Sequence, residues 1–554
     1  MYTASFAFFE ALWEAGVTHC FVNLGSDHPS IIEAIVKGQN EKKEHFPRII
    51  TCPNEMVALS MADGYARLTG KPQCVIVHVD VGTQGLGAAV HNASCGRAPV
   101  LIFAGLSPYT IEGEMRGSRT EYIHWIQDVP DQKAIVSQYC RYAAEIKTGK
   151  NIKQMVNRAL QFACSDPAGP VYLCGAREVM EEDLNPYELI QAHWNPVEPA
   201  GLSPSAVELI SKALVGADEP LLITGYSGRN HATVQALIKL TETVKGLRVL
   251  DTGGSDMCFP ADHRASLGLR YGVDESIKTA DVIVVIDCDV PWINTQCHPS
   301  KAAKIFHIDV DPLKQQMPVF YLAAMARYRA DSYVAITQIT QYLSSSGLLT
   351  QLDTERSAGK WAALAEAHQK RLASISNLAK PKDDDSFGTG YLCRQLRKLA
   401  PKDTIWAIEA VTNTGFVADN IQPTMPGTWI NCGGGGLGWS GGGALGIKLA
   451  SEFENGQGNG RFVCQIVGGW NAPKKSLLLV HPNGLGSKAT NEELNISFAP
   501  VPDYSGIAKA AAGGNIFAEK VCKASDLDAV LKKAVDAVTN GTTAVVDVVV
   551  ASGS

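Results

Sequence analysis

Residues 74–85 read Cys74-Val75-Ile76-Val77-His78-Val79-Asp80-Val81-Gly82-Thr83-Gln84-Gly85. The apolar run from Cys74 to Val79, broken only by His78, reads as a strand buried on both faces, because a half-exposed strand would alternate with polar residues. It stops at a glycine-bearing loop. Before it, Glu55–Leu68 has the pattern of a helix; after it, Val100–Ala104 is a second apolar run. Working outward, Cys20–Leu24 and Val171–Leu173 read as further buried strands, and Ser30–Lys37 and Ile152–Ala163 as helices. Strands alternating with helices imply a parallel sheet covered on both faces.

The same alternation continues along all 554 residues, which at about 150 residues per domain suggests three or four domains. Pro196, Pro199 and Pro204 punctuate the start of a second unit with strands at Pro220–Thr224, Arg248–Leu250, Asp281–Ile286 and Lys304–Ile308. Residues 344–385 read as a linker, a helix followed by the charged run Lys380–Asp385. A third unit has strands at Thr404–Ile408, Thr428–Asn431, Arg461–Val467 and Thr543–Val550. The expected fold class is α/β, with three doubly wound parallel-sheet domains over residues 1–190, 197–343 and 386–554.

Composition excludes several function classes. The formal charge is −7, from 49 basic and 56 acidic residues, so there is no electrostatic footprint for nucleic acid. The 14 cysteines show neither a disulfide framework nor zinc spacing, and read as free thiols in a reducing compartment. Met1–Phe9 lacks the basic start of a signal peptide, and no stretch approaches the roughly 18 apolar residues of a membrane span. A cytoplasmic protein is expected.

Four places could carry chemistry. Gly433–Gly446 is a glycine cluster after a strand and before an expected helix, Ala444–Ala450, where backbone N–H groups could meet a ligand. A flexible turn is the plainer reading. A dinucleotide fingerprint fits poorly, because the next strand ends Val467-Gly468-Gly469-Trp470 with no acidic residue. Glu55 heads an apolar helix. It is either a helix N-terminal charge or a carboxylate placed beside Ala58, Met61 and Ala62 to trade protons. His78 closes its strand, where active-site residues of parallel sheets collect, or is a satisfied core histidine. Gly25-Ser26-Asp27-His28 also follows a strand, and Ser26 or Asp27 could simply cap the next helix.

These pieces stand in a familiar order. Asn54-Glu55-Met56 with Ala62-Asp63-Gly64-Tyr65-Ala66-Arg67, Gly82-Thr83-Gln84-Gly85, and Gly169-Pro170-Val171-Tyr172-Leu173 resemble the N-terminal domain of thiamine-diphosphate enzymes. The superfamily is that of acetolactate synthase, pyruvate decarboxylase and benzoylformate decarboxylase. His307-Ile308-Asp309-Val310-Asp311-Pro312 resembles its central domain, and Gly435-Gly436-Leu437-Gly438-Trp439 its cofactor domain. The resemblance implies pyrimidine-binding, central and diphosphate-binding domains, with thiamine diphosphate and Mg2+ as cofactors. It implies decarboxylation of a 2-oxo acid, or carboligation to an aldehyde acceptor, through a carbanion at thiazolium C2. Glu55 would hydrogen-bond the aminopyrimidine ring, and Gly435, Gly436 and Leu437 would hold the cofactor in its bent form. Thr412 and Asn413 would contact phosphate. Asn23-Leu24-Gly25-Ser26 and His78 are similar to benzoylformate decarboxylase, in which the serine holds substrate carboxylate and the histidine moves a proton. His28 and Gln127 join this set; Ile126-Gln127-Asp128 resembles acetolactate synthase and 2-hydroxyacyl-CoA lyase instead. FAD belongs to the acetolactate synthase alternative and is not favoured. A homodimer or homotetramer is implied, because the family's site lies between subunits.

One stretch departs from the family. Its magnesium motif starts Gly-Asp-Gly after the strand ending at Val467 and finishes Asn-Asn after the next strand. Here the chain runs Val467-Gly468-Gly469-Trp470-Asn471-Ala472-Pro473, without that aspartate, that asparagine, or the helix and strand between them. No metal ligand can be named. A strand–helix–strand unit takes roughly 30 residues. Gly468 and Gly469 are therefore read as not adjacent in the whole protein, with a long gap between them near Thr412 and Gly435. The alternative is a non-catalytic homologue that truly lacks the segment.

Overall fold

The computed structural model describes residues 2–351, 354–456, 458–468, 472–498 and 500–551. Two compact units are present: residues 1–199 with 430–465, and residues 200–429 with 466–554.

The first unit is built on six strands: β1 (His19–Asn23), β2 (Arg48–Thr51), β3 (Gln73–Val77), β4 (Val100–Leu106), β5 (Tyr142–Ile146) and β6 (Val171–Ala176). All pair in parallel, in the order β2-β1-β3-β4-β6-β5. β3 is buried at every residue, as its unbroken apolar run requires. Helices cover the sheet. Those that matter below are α1 (Ala4–Glu14), α2 (Pro29–Glu41), α3 (Glu55–Thr69), α4 (Val81–Gly85) and α5 (Gly87–Cys95). The chain leaves β1 towards β2 on one side and β3 towards β4 on the other. The reversal opens a crevice at the carboxyl ends of β1 and β3, where ligands of doubly wound sheets bind.

The second unit holds β7 (Pro220–Thr224), β8 (Arg248–Asp251), β9 (Ser266–Leu269), β10 (Val282–Ile286), β11 (Lys304–Asp309) and β12 (Ala326–Arg329), ordered β12-β11-β10-β7-β8-β9 and parallel. Alternate residues serve opposite cores. Leu222, Val284 and Phe306 pack on one face, and Leu221, Ile223, Ile283 and Val285 on the other.

The C-terminal strands do not form one sheet. β13 (Ile405–Glu409), β14 (Trp429–Asn431) and β15 (Val463–Val467) make a three-stranded sheet. β16 (Phe517–Val521) and β17 (Ala544–Val548) form a separate parallel pair. The break falls after β15, where the family's strand–helix–strand unit is absent from the sequence. Residues 478–507 carry exposed large apolar side chains, among them Leu479, Val480, Leu485, Phe498 and Ile507.

The glycine cluster is shorter as a loop than expected. The helix reads Trp439–Glu454 rather than starting at Ala444, so Gly441, Gly442 and Gly443 are helical. The physical reason is packing against α3. A Cβ on Gly442 would stand 2.7 Å from the Ser60 Cβ and 2.9 Å from the Val57 carbonyl oxygen. A Cβ on Gly446 would overlap the Met61 carbonyl, and one on Gly64 the Gly443 carbonyl. Side chains lock the same contact. The Trp439 indole donates to Asp63 at 2.8 Å, and buried Arg67 donates to the Asn431 carbonyl. The Ala62–Arg67 motif thus docks one helix on another.

Candidate active site

The crevice between β1 and β3 gathers the acid–base groups. His78 follows β3 directly, and its Nδ1 hydrogen-bonds the Asp27 carboxylate, which enters from the loop after β1. The second Asp27 oxygen accepts the Val79 N–H at 3.0 Å and stands 3.2 Å from His28 Nε2. The Asp27 side chain is wholly shielded from solvent; that of His78 keeps 19% of its exposure. Neither Ser26 nor Asp27 caps the next helix. His28 occupies the N-cap of α2, with no side-chain cap bond.

The two histidines are driven apart. The hydrogen bond to Asp27 raises the His78 imidazole above its ordinary range; burial opposes this, and Gln127 and Glu55 add to the rise. His28 is fully buried, and that burial lowers it despite the nearby Asp27. Its Nδ1 accepts the Gly25 N–H at 3.1 Å, so Nδ1 carries no proton and the ring is neutral.

Three glycines make room for these groups. A Cβ on Gly25 would overlap the His78 ring, and one on Gly105 would overlap the Asp27 carboxylate. A Cβ on Gly85 would lie 2.6 Å from Glu55 Oε2. Glu55 is the first residue of α3 and is half-buried rather than buried. Asn54 caps the helix by accepting the Val57 N–H at 2.9 Å, which leaves the Glu55 carboxylate to face Gly85. Gln127, 4% exposed, is near enough to His78 to raise its imidazole, and its Nε2 has no hydrogen-bond partner. Ser26 sits half-buried in the β1 loop.

A second layer sets the turn after His78. Asp80 adopts φ 48°, a strained value for a non-glycine residue. Its N–H donates to Gln132 Oε1 at 2.7 Å, and its carboxylate accepts from Gln84 at 2.8 Å. Gln132 also donates to the Gly105 carbonyl and to Tyr172 OH, which pairs with Thr83. Sequence reasoning singled out none of Gln132, Tyr172 or, as a functional group in its own right, Asp27. The signal for Asp27 was a short acidic residue in a strand-end loop opposite a strand-end histidine.

The expected cofactor residues divide. Gly435, Gly436 and Leu437 belong to the first unit. The Gly436 N–H donates to Asn92 Oδ1 at 3.0 Å and its carbonyl accepts from Asn92 Nδ2 at 2.7 Å, while Gly435 faces open space and Leu437 is exposed. Thr412 and Asn413 belong to the second unit, where the Gly468 N–H donates to the Glu409 carbonyl at 3.1 Å. The expected gap between Gly468 and Gly469 lies outside the described residues, as do residues 470 and 471. Glu55 and Gly435, whose N–H donates to His91 Nε2 at 3.1 Å and whose Cβ direction is open, fit the pyrimidine end of thiamine diphosphate. The metal end does not fit. Directly after β15 the sequence has neither the aspartate nor the Asn-Asn pair of the family's motif, and among the described residues no group of three or more acidic, histidine or cysteine side chains could hold an ion.

Parts of the chain match known protein families. Residues 2–135 match the thiamine pyrophosphate enzyme N-terminal TPP binding domain, and residues 207–319 match the thiamine pyrophosphate enzyme central domain. Acetolactate synthase of Bacillus subtilis is 26% identical over 291 residues, covering 50% of this chain and 47% of its own. The acetolactate synthase isozyme 3 large subunit of Escherichia coli is 25% identical over 419 residues, covering 72% and 68%. The 2-hydroxyacyl-CoA lyase 2 of Caenorhabditis elegans is 23% identical over 450 residues, covering 72% and 66%. The chain thus spans about half to two thirds of these relatives. Benzoylformate decarboxylase from Polynucleobacter necessarius shares the fold, with a TM-score of 0.75, 18% identity, and 99% and 98% of the two chains covered. The 4-hydroxybenzoylformate decarboxylase of Rhodococcus jostii does so with a TM-score of 0.73, 17% identity and 99% of each chain. Residues 2–135 and 207–319 thus carry the N-terminal and central domains of thiamine pyrophosphate enzymes, and the chain as a whole is similar to that superfamily.

Proposed function

We propose that the chain is a thiamine-diphosphate-dependent lyase or carboligase that cleaves the bond beside a 2-oxo group, with a 2-oxo acid as substrate and, in carboligation, an aldehyde as acceptor. The observation that carries this reading is the meeting of Glu55, His78 and Gln127 around one crevice, each beside a glycine or an unpaired donor rather than a packed side chain. Thiamine diphosphate, when bound, supplies the electron sink for the bond that breaks. Glu55 is placed to hold a proton at the aminopyrimidine ring. Gln127 Nε2 offers an N–H to a substrate carboxylate, and Ser26 is a second proposed carboxylate contact from the loop after β1. His78 Nε2 gives or takes the proton at the reacting carbon. Gly435, Gly436 and Leu437 would support the cofactor, with Thr412 and Asn413 at its phosphates.

Cytoplasmic placement and a homodimer or homotetramer belong to the same proposal. The fourteen cysteines are all free, which suits a reducing compartment, and no helix among the described residues is long and apolar enough to cross a membrane. The division into residues 1–190, 197–343 and 386–554, joined by 344–385, is also proposed.

The test is carbon dioxide release from a panel of 2-oxo acids, with and without an aldehyde acceptor, in the presence of thiamine diphosphate and magnesium. Release that depends on the cofactor and disappears in Glu55→Gln supports the reading. No release from any acid, alongside a cofactor that does not shift the melting temperature, favours the non-catalytic homologue.

A further inference from the structure

The most enclosed ionisable group of the crevice, Asp27, has no role in the reading above. We propose that Asp27 is a positioning residue for His78: its carboxylate fixes the ring with Nδ1–H on Asp27, so that Nε2 carries the second, mobile proton into the crevice.

Four observations carry this. First, Asp27 is not spent elsewhere. The N-cap of α2 is His28, so the ordinary use of an aspartate before a helix is absent. Second, both Asp27 oxygens are directed. One meets His78 Nδ1, and the other meets the Val79 N–H, the residue after His78. The carboxylate therefore grips the imidazole and its own backbone together, which holds ring and chain in one register. Third, the crevice is carved for the pair. Gly25 leaves room for the ring and Gly105 for the carboxylate, and any side chain at either position would overlap them. Fourth, the neighbouring histidine does not compete for the charge. His28 accepts the Gly25 N–H through Nδ1 and is kept neutral by burial, so Asp27 has one cationic partner.

The groups facing His78 are few. Asp27 and His28 come from the β1 loop, with the two imidazole centroids 6.4 Å apart; Glu55 comes from the head of α3, and Gln127 from the turn after Ile123–Ile126. Asp27 is faced in turn by the buried His124, itself beside Arg177 and lowered chiefly by burial. Both carboxylates favour a protonated His78, and burial is what opposes it. With Nδ1 engaged, Nε2 is the nitrogen left for Gln127 and for substrate. The proton moves from Nε2 to the electron pair left on substrate carbon when its bond breaks; His78 becomes neutral, Asp27 stays a carboxylate, and solvent returns the proton. Only this last consequence rests on the proposed function.

The test uses full-length protein without cofactor, labelled with 13C-histidine and titrated by NMR, the His78 signal being assigned by its loss in His78→Gln. The expected result is that His78 titrates above the ordinary value of about 6.5, with Nδ1 protonated on both sides of the transition. In Asp27→Asn the midpoint moves to lower pH, and in Asp27→Glu it returns part of the way. In turnover, the alkaline limb of kcat/KM moves to lower pH in Asp27→Asn. A purely structural aspartate would lower the amplitude and leave the limb in place. A His78 midpoint at or below the ordinary value in the unmodified protein overturns the proposal, and that measurement stands even where Asp27→Asn does not fold. Inactivity towards every 2-oxo acid would count against the proposed function and leave the titration result untouched.

Discussion

Gly25 stands so close to the imidazole of His78 that a methyl group at residue 25 would come within 2.2 Å of Nδ1. The backbone of the β1 loop is in effect one wall of the histidine's slot. Gly25→Ala should therefore push the ring off Asp27. A misplacement of about 1 Å costs on the order of 10²-fold in rate, so a loss of that size is expected, with little change in the far-UV spectrum. Steady-state kinetics on the best 2-oxo acid checks this. An alanine variant with full activity would show that the slot is looser than the geometry states.

Glu55→Gln keeps the size of the side chain and its place beside Gly85, and removes the charge. The expected outcome is a fall in turnover of about 10²–10⁴-fold, the range for a lost general acid–base group. The melting temperature should stay within a degree or two, since Asn54 rather than Glu55 caps α3. Turnover unchanged in the purified variant would take Glu55 out of the mechanism.

The parts of the fold legible in the sequence are the parts buried on both sides. β1, β3, β4, β6, β7, β10 and β11 all show as apolar runs, because each is covered by helices on both faces. The strands missed in the two large sheets are β2, β5, β9 and β12, and every one is a sheet edge. Their burial is broken: Ala326–Arg329 alternates between half-buried and exposed, and Arg48–Thr51 is exposed at both ends. The site was legible where a residue type is rare in its setting, as with His78 closing a buried strand. Asp27 was not, because an aspartate before a helix has a plainer use as a cap, and only the three-dimensional meeting of two strand-end loops shows otherwise. The glycine cluster misled by half. Sequence pattern does not separate glycines that admit a ligand from those, such as Gly442 and Gly446, that admit another helix.

The His78–Asp27 pair should be visible in stability against pH. A histidine held above its ordinary value stabilises the fold fully below the unfolded value, about 6.5, and the benefit is lost as pH rises through the folded value. Wild type should therefore exceed His78→Gln in melting temperature most clearly below pH 6.5, with the difference narrowing above it. Differential scanning fluorimetry across pH 5–9 reads this. A gap that widens as pH rises has the wrong sign for a cationic His78.

Gly446 sits where the helix Trp439–Glu454 crosses α3, against the Met61 carbonyl. Alanine would gain about 1 kcal/mol of helix propensity and lose about 1–3 kcal/mol to overpacking against a backbone atom that cannot rotate away. The second effect should win. Gly446→Ala is expected to melt several degrees lower, whereas Gly441→Ala, whose nearest neighbour is the end of the Gln465 side chain at 4.0 Å, should be neutral or stabilising. Equal melting temperatures for the two variants would show that the helices are not in the contact described.

The strand, helix and metal residues that the family resemblance places after β15 are missing between Val467 and the helix Ala472–Val480. Two features of the fold point the same way. Among the described residues β16 and β17 pair only with each other, so the C-terminal strands lie in two separate sheets. Beyond β15, Leu485 is 97% exposed and Val480 67%, in a segment whose apolar side chains have no core to enter. A segment of about 30 residues, the length of a strand–helix–strand unit, would join the pieces, cover those side chains and carry the metal ligands. The protein purified from its native source is therefore expected to exceed 59.3 kDa by about 3 kDa, with the added residues between Gly468 and Gly469 in its peptide map. That longer form should bind thiamine diphosphate with magnesium and melt higher when it does, because a ligand bound only by the folded state stabilises it. A native mass of 59.3 kDa would make the deletion genuine and the protein a homologue without the metal site, whatever its crevice retains.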